Sequence, residues 1–556
     1  MSEEALDIVL AYHRVTKHAL NRFADGPGYL DWATQPNPFR RYAGARLIPL
    51  LLRPPDEAAT SVTSAGVAAP LDLAGISQLF FDSLALSAWK EYGGSRWALR
   101  VNPSSGNLHP TEGYLICGAV PGLCDAPIVA HYAPKEHGLE VRADVPSALW
   151  QALAACLPPD SFLVGLSTIY WREAWKYGQR AYRYCQHDVG HALAAIGIAA
   201  AGLGWQARLL DGLSTEQATD LLGLAGQDGP EAEHADCLVL VSVRATADLP
   251  HSLPETVTEA FRSLAWRGTP NALSPRHVSW EWVDAATAAT RKPASRPAPR
   301  NDYGTHGMSM AADAAPALPS PSLRRLIHRR RSAVAMDGQT HLEQAVFYRM
   351  MGRTLPEQNP ACFGVLPWRP HVSLAVFVHR VIGLEPGLYL LARERTHLAG
   401  LRAALKPAFT WTIPPGCPAG LLFYHLQTGD MRRIAQRISC DQEIAADGCF
   451  SLGMVAEFEE PLTETGAWFY PRLFWECGLI GQVLYLEAEA AGLRGTGIGC
   501  FFDDTMHGLL GLWDRRFQSL YHFTVGAAVE DARLITLPAY HHLQNPRSAR
   551  DEESYA

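Results

Sequence analysis

Three short stretches hold most of the chemistry this chain can offer. The loop Arg100-Val101-Asn102-Pro103-Ser104-Ser105-Gly106-Asn107-Leu108-His109-Pro110 sets two hydroxyls and a carboxamide, on Ser104, Ser105 and Asn107, just before an apolar run. Such donors and acceptors suit the carbonyls and nitrogens of a heteroaromatic ring. Trp175-Lys176-Tyr177-Gly178 pairs an amine with a phenol. A lysine desolvated beside a ring falls toward neutrality and acts as a base, while a tyrosine orients substrate or shares the proton. Arg330-Arg331-Ser332, read as the opening of a helix, supplies guanidinium forks, a hydroxyl and free backbone N–H groups for a phosphate. Each stretch alone also has an ordinary reading: a polar turn, an aromatic-rich surface helix with a solvated lysine, a solvated basic turn.

Other words fail on context. His187-Asp188-Val189-Gly190-His191 has zincin-like histidine spacing but an aspartate where the general-base glutamate belongs, so no metal is expected. Gly495-Thr496-Gly497-Ile498-Gly499 lacks the full dinucleotide fingerprint and follows a helix instead of a strand. His541-His542 reads as a surface pair. The 11 cysteines are scattered with no C-x-x-C, which suggests neither a zinc ribbon nor a disulfide framework; most read as small buried hydrophobes.

The elements that must position these groups come from a long chain with ample apolar surface: 556 residues, 48% hydrophobic and 19% charged. A net charge of -8 gives no large basic field for nucleic acid. The start, MSEEALDIVLAYHRVTKH, has early acids and no apolar leader core, so a cytoplasmic location is expected. The uncharged run from Val189 to Ala207 is rich in alanine and glycine and reads as a buried, closely packed helix, not a membrane span. From Ala285 to about Pro321 the chain turns rich in Ala, Pro and Ser without sustained hydrophobic period, which marks a linker. The organisation expected is residues 1–284 as a first domain with an N-terminal arm, 285–321 as linker, 322–540 as a second domain and 541–556 as a tail.

The two halves carry a faint internal repeat. The apolar helix around Gly190 pairs with the one around Gly478; Gly204 and Gly492 fall where each should end, and DLLGL at Asp220–Leu224 answers GLLGL at Gly508–Leu512. Arg40-Arg41-Tyr42 answers Arg330-Arg331-Ser332, both read as preceding helices. Tyr114–Val120 and Leu374–Val381 are β-prone runs expected as central strands. Each half should therefore be an α+β unit, a mostly antiparallel sheet covered by helices.

Gly93-Gly94-Ser95-Arg96, the Ser104-Ser105-Gly106-Asn107 loop, Trp175-Lys176-Tyr177-Gly178, Arg330-Arg331-Ser332 and the glycine run from Gly492 to Gly499 together resemble the nitroreductase superfamily, in particular its SagB/ThcOx branch of azoline dehydrogenases. The resemblance covers most of both halves. It implies two tandem nitroreductase-like domains packed as an intramolecular pseudo-dimer, with FMN held by an arginine motif from one unit and a serine loop from the other. The halves have diverged in complementary ways. Ser104, Ser105 and Asn107 become Ala361, Cys362 and Gly364 in the second half, whereas Tyr42 stands in the first half where Ser332 stands in the second. One composite site is the consequence. Its phosphate would lie on Arg330, Arg331 and Ser332, and its ring between Ser104, Ser105, Asn107 and the backbone of Gly497, Ile498 and Gly499. Lys176 and Tyr177 match the branch's proton-abstracting pair; the second half has Glu464-Thr465 there.

Three functions are compatible with these residues. The first is an FMN-dependent dehydrogenase acting on a small molecule or peptide, such as azoline-to-azole oxidation, with oxygen as acceptor. The second is an NAD(P)H-dependent nitro, quinone or enone reductase. The third is a flavin-poor scaffold in a peptide-modifying complex. Neither nucleic acid nor membrane is expected as a partner, and the chain would act as a monomeric pseudo-dimer or a higher homo-oligomer.

Overall fold

The computed structural model describes residues 3–55, 68–244, 249–296 and 320–544. Its two halves repeat one topology. In spatial order the first sheet runs Arg46–Pro49, Gly138–Asp144, Ile128–Ala133, Thr111–Cys117, Ser161–Thr168, His234–Ser242, Gln206–Leu209. The second runs Phe423–Thr428, Gly387–Leu391, Val372–Val378, Phe450–Glu457, Phe517–Gly526, Arg494–Ile498, and every pairing in both sheets is antiparallel. The predicted central strands occupy interior positions in both.

Both faces of each sheet are buried, which is why the strands read as continuous apolar runs. Period-two alternation still sorts them. Leu115 and Val164 face the core shared by both halves, while Ile116 and Leu163 face a satellite cluster beneath Leu221, Leu222 and Phe261. In the second half Leu374 and Val376 face the shared core, and Ala375 and Phe377 a satellite with Leu401 and Leu510.

The shared core is organised by two long buried helices, Ala181–Gly202 and Tyr470–Ala490. They cross at Gly190 and Gly478. A Cβ on Gly190 would lie 2.2 Å from the Trp475 carbonyl oxygen, and one on Gly478 would lie 2.3 Å from the His187 carbonyl oxygen. The contacts are reciprocal in the register that aligns Gly190 with Gly478, so the pseudo-two-fold axis passes through the pair predicted from the repeat. Gly204 and Gly492 follow the helix ends with φ of 74° and 72°, the left-handed conformation that closes a helix. Among the described residues no helix is long and apolar enough to cross a membrane.

Several expectations are corrected. Arg330 and Arg331 follow the end of a helix, Ser320–Arg329, and do not open one. Arg40-Arg41 leads into a short strand, Tyr42–Ala43, paired with Thr269–Pro270; Arg40 is buried beside Glu233, and Arg41 bridges Glu136 and Glu140. The expected linker begins inside the helix Glu281–Ala289, and Lys292 beyond it is buried; 297–319 lie outside the described residues. His542 is buried rather than on the surface, its Nε2–H donating to the Lys135 carbonyl, because the strand Ile535–Leu537 crosses to pair with Leu86–Tyr92 and carries the C-terminal residues onto the first half.

Candidate active site

The serine loop follows the strand Ser95–Arg100 and tightens into a turn at Ser105–Asn107, where Gly106 and Asn107 take φ of 59° and 61°. Asparagine tolerates that region because its short side chain bonds locally. Asn107 Nδ2 donates to the Ala98 carbonyl (2.8 Å), and its Oδ1 accepts from His109 Nε2 (2.9 Å). The carboxamide expected to face a ring holds the loop instead. Ser104 Oγ accepts from the His109 N–H (2.8 Å) and donates to Glu173 (3.3 Å), and the Ser105 N–H donates to Asp188 (3.2 Å).

Lys176 and Tyr177 end the helix Tyr170–Tyr177, and both side chains reach the serine loop at Gly106. A Cβ there would stand 2.6 Å from the Tyr177 hydroxyl and 3.1 Å from Lys176 Nζ, so a side chain at this left-handed position would push the amine and phenol from where they lie. Burial, then the charge of Glu173, holds the Tyr177 phenol well above its usual range, and it stays protonated as a donor.

Glu173 and Asp188, buried behind the loop, were not singled out from sequence. Burial raises both carboxyls; the charge of Asp188 raises Glu173 further, and hydrogen bonds from Ser104 and Ser105 draw Asp188 partly back. Each keeps one carboxyl oxygen, Glu173 Oε2 and Asp188 Oδ2, buried without a hydrogen-bond partner, and burial favours the protonated form of both. Sequence carries little signal for Asp188, because it stands among Arg183, Gln186, His187 and His191 and reads there as one more polar helix residue.

The second half meets this group from the other side. Gly499 rests against the Tyr184 ring, where any Cβ would fall 2.0 Å from a ring carbon, and Tyr184 lies 4.5 Å from Tyr177 between centroids. The Gly497 N–H donates to Tyr485 Oη (3.0 Å), which also meets Ser332 Oγ at 2.8 Å. The Ile498 side chain turns away into a small cluster with Ala333, Met336 and Ile444. Arg330 is buried and donates to the first-half carbonyls of Arg100 (2.9 Å) and Val101 (3.2 Å); Arg331 donates to the Ser87 carbonyl at 3.0 Å. The two arginines have carbonyls as guanidinium partners, while the buried Glu489 serves Arg329 and Arg494. Burial and the neighbouring Arg330 and Arg494 pull Arg331 down to about 10. Positive charge is in surplus here, which favours an anion. The residues picked from sequence are thus brought together across the pseudo-two-fold axis, with the Asn107 carboxamide bonded within its own loop.

The counterpart site has been rebuilt. In the Gly190-to-Gly478 register, Tyr184 corresponds to Arg472 and Gly499 to Asp211, and these two form an ion pair at 2.9 Å. A salt bridge stands where the first site has an aromatic ring against glycine. A cavity of ≈890 Å³ opens beside it, lined by Gly466, Trp468, Lys292 and Ser214. Among the described residues one group has the donors for a metal, His371, His397 and Glu457. A cation already serves it: Arg369 donates to His397 Nε2 (2.7 Å) and to Glu457 (3.0 Å). His187 and His191 are engaged separately, with the Leu520 carbonyl (3.1 Å) and with Gln482 and Tyr521 (both 3.3 Å).

Comparison with solved structures finds a candidate nitroreductase from Anabaena variabilis with a TM-score of 0.68 at 23% identity, covering 94% of this chain and 99% of that one. The chain has the nitroreductase fold. The match runs through both halves, so the doubled arrangement is shared. An E. coli microcin synthetase complex, McbBCD with truncated pro-MccB17 bound, matches 45% of this nitroreductase-fold chain and 95% of that one at 18% identity, and an FMN-containing oxidoreductase matches 36% and 74% at 12%. Their TM-scores of 0.25 and 0.18 are too low to carry an argument. No family model and no curated protein matches the chain.

Proposed function

We propose that this chain is an FMN-dependent oxidoreductase with one flavin site, built between its halves. The observation that carries the reading is the convergence just described: the serine loop, Lys176 and Tyr177 from one half meet a charge-surplus arginine group from the other, while the counterpart position holds the Arg472–Asp211 pair. The donors fit both ends of FMN. Arg330, Arg331 and Ser332 offer cations and a hydroxyl for the phosphate, and Ser104, Ser105 and the Tyr177 and Tyr184 rings offer polar groups and aromatic faces for the isoalloxazine. Bound there, FMN would supply hydride transfer.

The chain's own residues would manage the proton. Lys176, on the serine loop, is placed to take it from substrate; the protonated Tyr177 donates a hydrogen bond; and burial favours the protonated forms of Glu173 and Asp188 behind the loop. A base backed by a carboxyl pair favours a dehydrogenase, with a small molecule or a peptide azoline as substrate and oxygen as acceptor. Flavin counting tests the reading. About one FMN per chain in wild type, lost in Arg330→Gln/Arg331→Gln, is the expected result; no flavin after reconstitution refutes it. Substrate-free consumption of NAD(P)H at a steady rate would move the assignment to a reductase.

A further inference from the structure

One cluster beside this site takes no part in it. Cys500 directly follows Gly499, and Cys440 lies in the loop between the helices Arg432–Ile438 and Ile444–Asp447. Their sulfurs are 2.8 Å apart, within about 0.8 Å of the ~2.05 Å disulfide bond length. Both cysteines are half-buried, open to small reagents. The approach is held from both sides: Gln442 Nε2 donates to the Cys500 carbonyl (3.1 Å) and the Ser439 carbonyl (2.7 Å), and the Phe502 N–H donates to the Ile438 carbonyl (2.7 Å).

The surroundings favour a thiolate on Cys500. His18 Nδ1 accepts the Ala24 N–H (2.9 Å), which leaves the other ring nitrogen to carry the proton, and burial holds the imidazole below its usual range, so the ring is a neutral donor beside Cys500. Arg180 donates to the adjacent Gly499 carbonyl (3.1 Å), its charge shared with Asp503. Hydrogen bonding from the Cys440 thiol, then from the His18 ring, and the charge of Arg180 bring Cys500 down to about 5, while the same sulfur contact and burial push Cys440 up. One cysteine is the nucleophile and its neighbour keeps the proton, the division of labour that thiol–disulfide exchange requires.

We infer that Cys500 and Cys440 form a thiol–disulfide exchange site that takes low-molecular-weight disulfides. The Cys500 thiolate attacks one sulfur of the small disulfide, the S–S bond breaks, and one thiolate leaves. The Cys440 sulfur then attacks Cys500 Sγ, releasing the second thiolate, which takes up the Cys440 proton. The two cysteines are oxidised to a disulfide and the reagent is reduced to two thiols. This inference stands apart from flavin binding.

The full-length chain is incubated with glutathione disulfide at neutral pH, quenched in acid and alkylated, and its peptides are mapped by mass. Wild type is expected to yield a Cys440–Cys500 crosslink. Cys440→Ser is expected to stop at glutathionyl-Cys500, and Cys500→Ser to leave Cys440 reduced. Alkylation of Cys500 with iodoacetamide should follow a pH midpoint near about 5, whereas Cys156, also half-buried but bonded only to the Ala152 carbonyl (3.4 Å), serves as the internal control. Absence of the crosslink in wild type overturns the inference. So does a Cys500 alkylation rate at neutral pH no faster than that of Cys156, a readout that needs no variant to fold.

Discussion

Adding a single methyl at the helix crossing tests the architecture most directly. In Gly190→Ala the new Cβ would sit 2.2 Å from the Trp475 carbonyl oxygen, and in Gly478→Ala 2.3 Å from that of His187. Carbon and oxygen rest at ~3.3 Å or more, so the two helices must part by about 1 Å. The obstructing atoms are backbone and cannot rotate aside, which places the steric cost near the top of the ~1–3 kcal/mol range for overpacking. Alanine returns about 0.5–1 kcal/mol of helix propensity. Each variant should therefore lose about 2 kcal/mol. The pseudo-two-fold axis adds a sharper expectation: the losses should be similar, and the double variant should cost less than their sum by more than ~0.5 kcal/mol, because both methyls open the same gap. Urea unfolding of the two single variants and the double supplies the three numbers. A neutral effect at either glycine, or strict additivity, refutes the crossing.

Arg331→Gln removes a cation whose guanidinium hydrogen-bonds only carbonyls, and the loss of its charge-assisted bonds should weaken FMN binding by roughly tenfold to a hundredfold, read by fluorescence titration. Asn107→Ala deletes two bonds internal to the serine loop, so both thermal stability and flavin retention should fall, whereas Ser104→Ala should mainly affect retention; equal melting temperatures for the two variants would contradict the structural task given to Asn107. Asp188 binds its proton more tightly in the folded chain than in the unfolded one, because burial raises it. Its contribution is accordingly most favourable in acid and is lost as pH rises from the ordinary carboxylate range toward neutrality. Asp188→Asn should then stabilise the chain at pH 8 and change little at pH 4; the reverse pattern in melting scans would exclude a buried carboxyl that favours its protonated form.

The sequence by itself determined the repeat and the α+β class, and it placed the candidate site residues in both halves. Those readings rest on local properties: apolar period, glycine at helix ends, and motif words that survive in one half and not the other. Gly190 and Gly478 could be aligned from their neighbours alone. That they touch was settled by the tertiary structure, since only packing brings two glycines of distant helices to one point. The same holds for chemistry that depends on neighbours far along the chain. Arg330-Arg331 looks alike at the start or end of a helix in sequence, and nothing in the order of residues shows that the Asn107 amide bonds Ala98 and His109. Asp188 gains its proton affinity from burial beside Glu173, and Tyr184 and Arg472 differ in what they meet, Gly499 or Asp211. Cys440 and Cys500 carried no spacing signal. Their proximity comes from two loops tied by Gln442, and proximity is the one property of a residue pair that the order of residues does not contain.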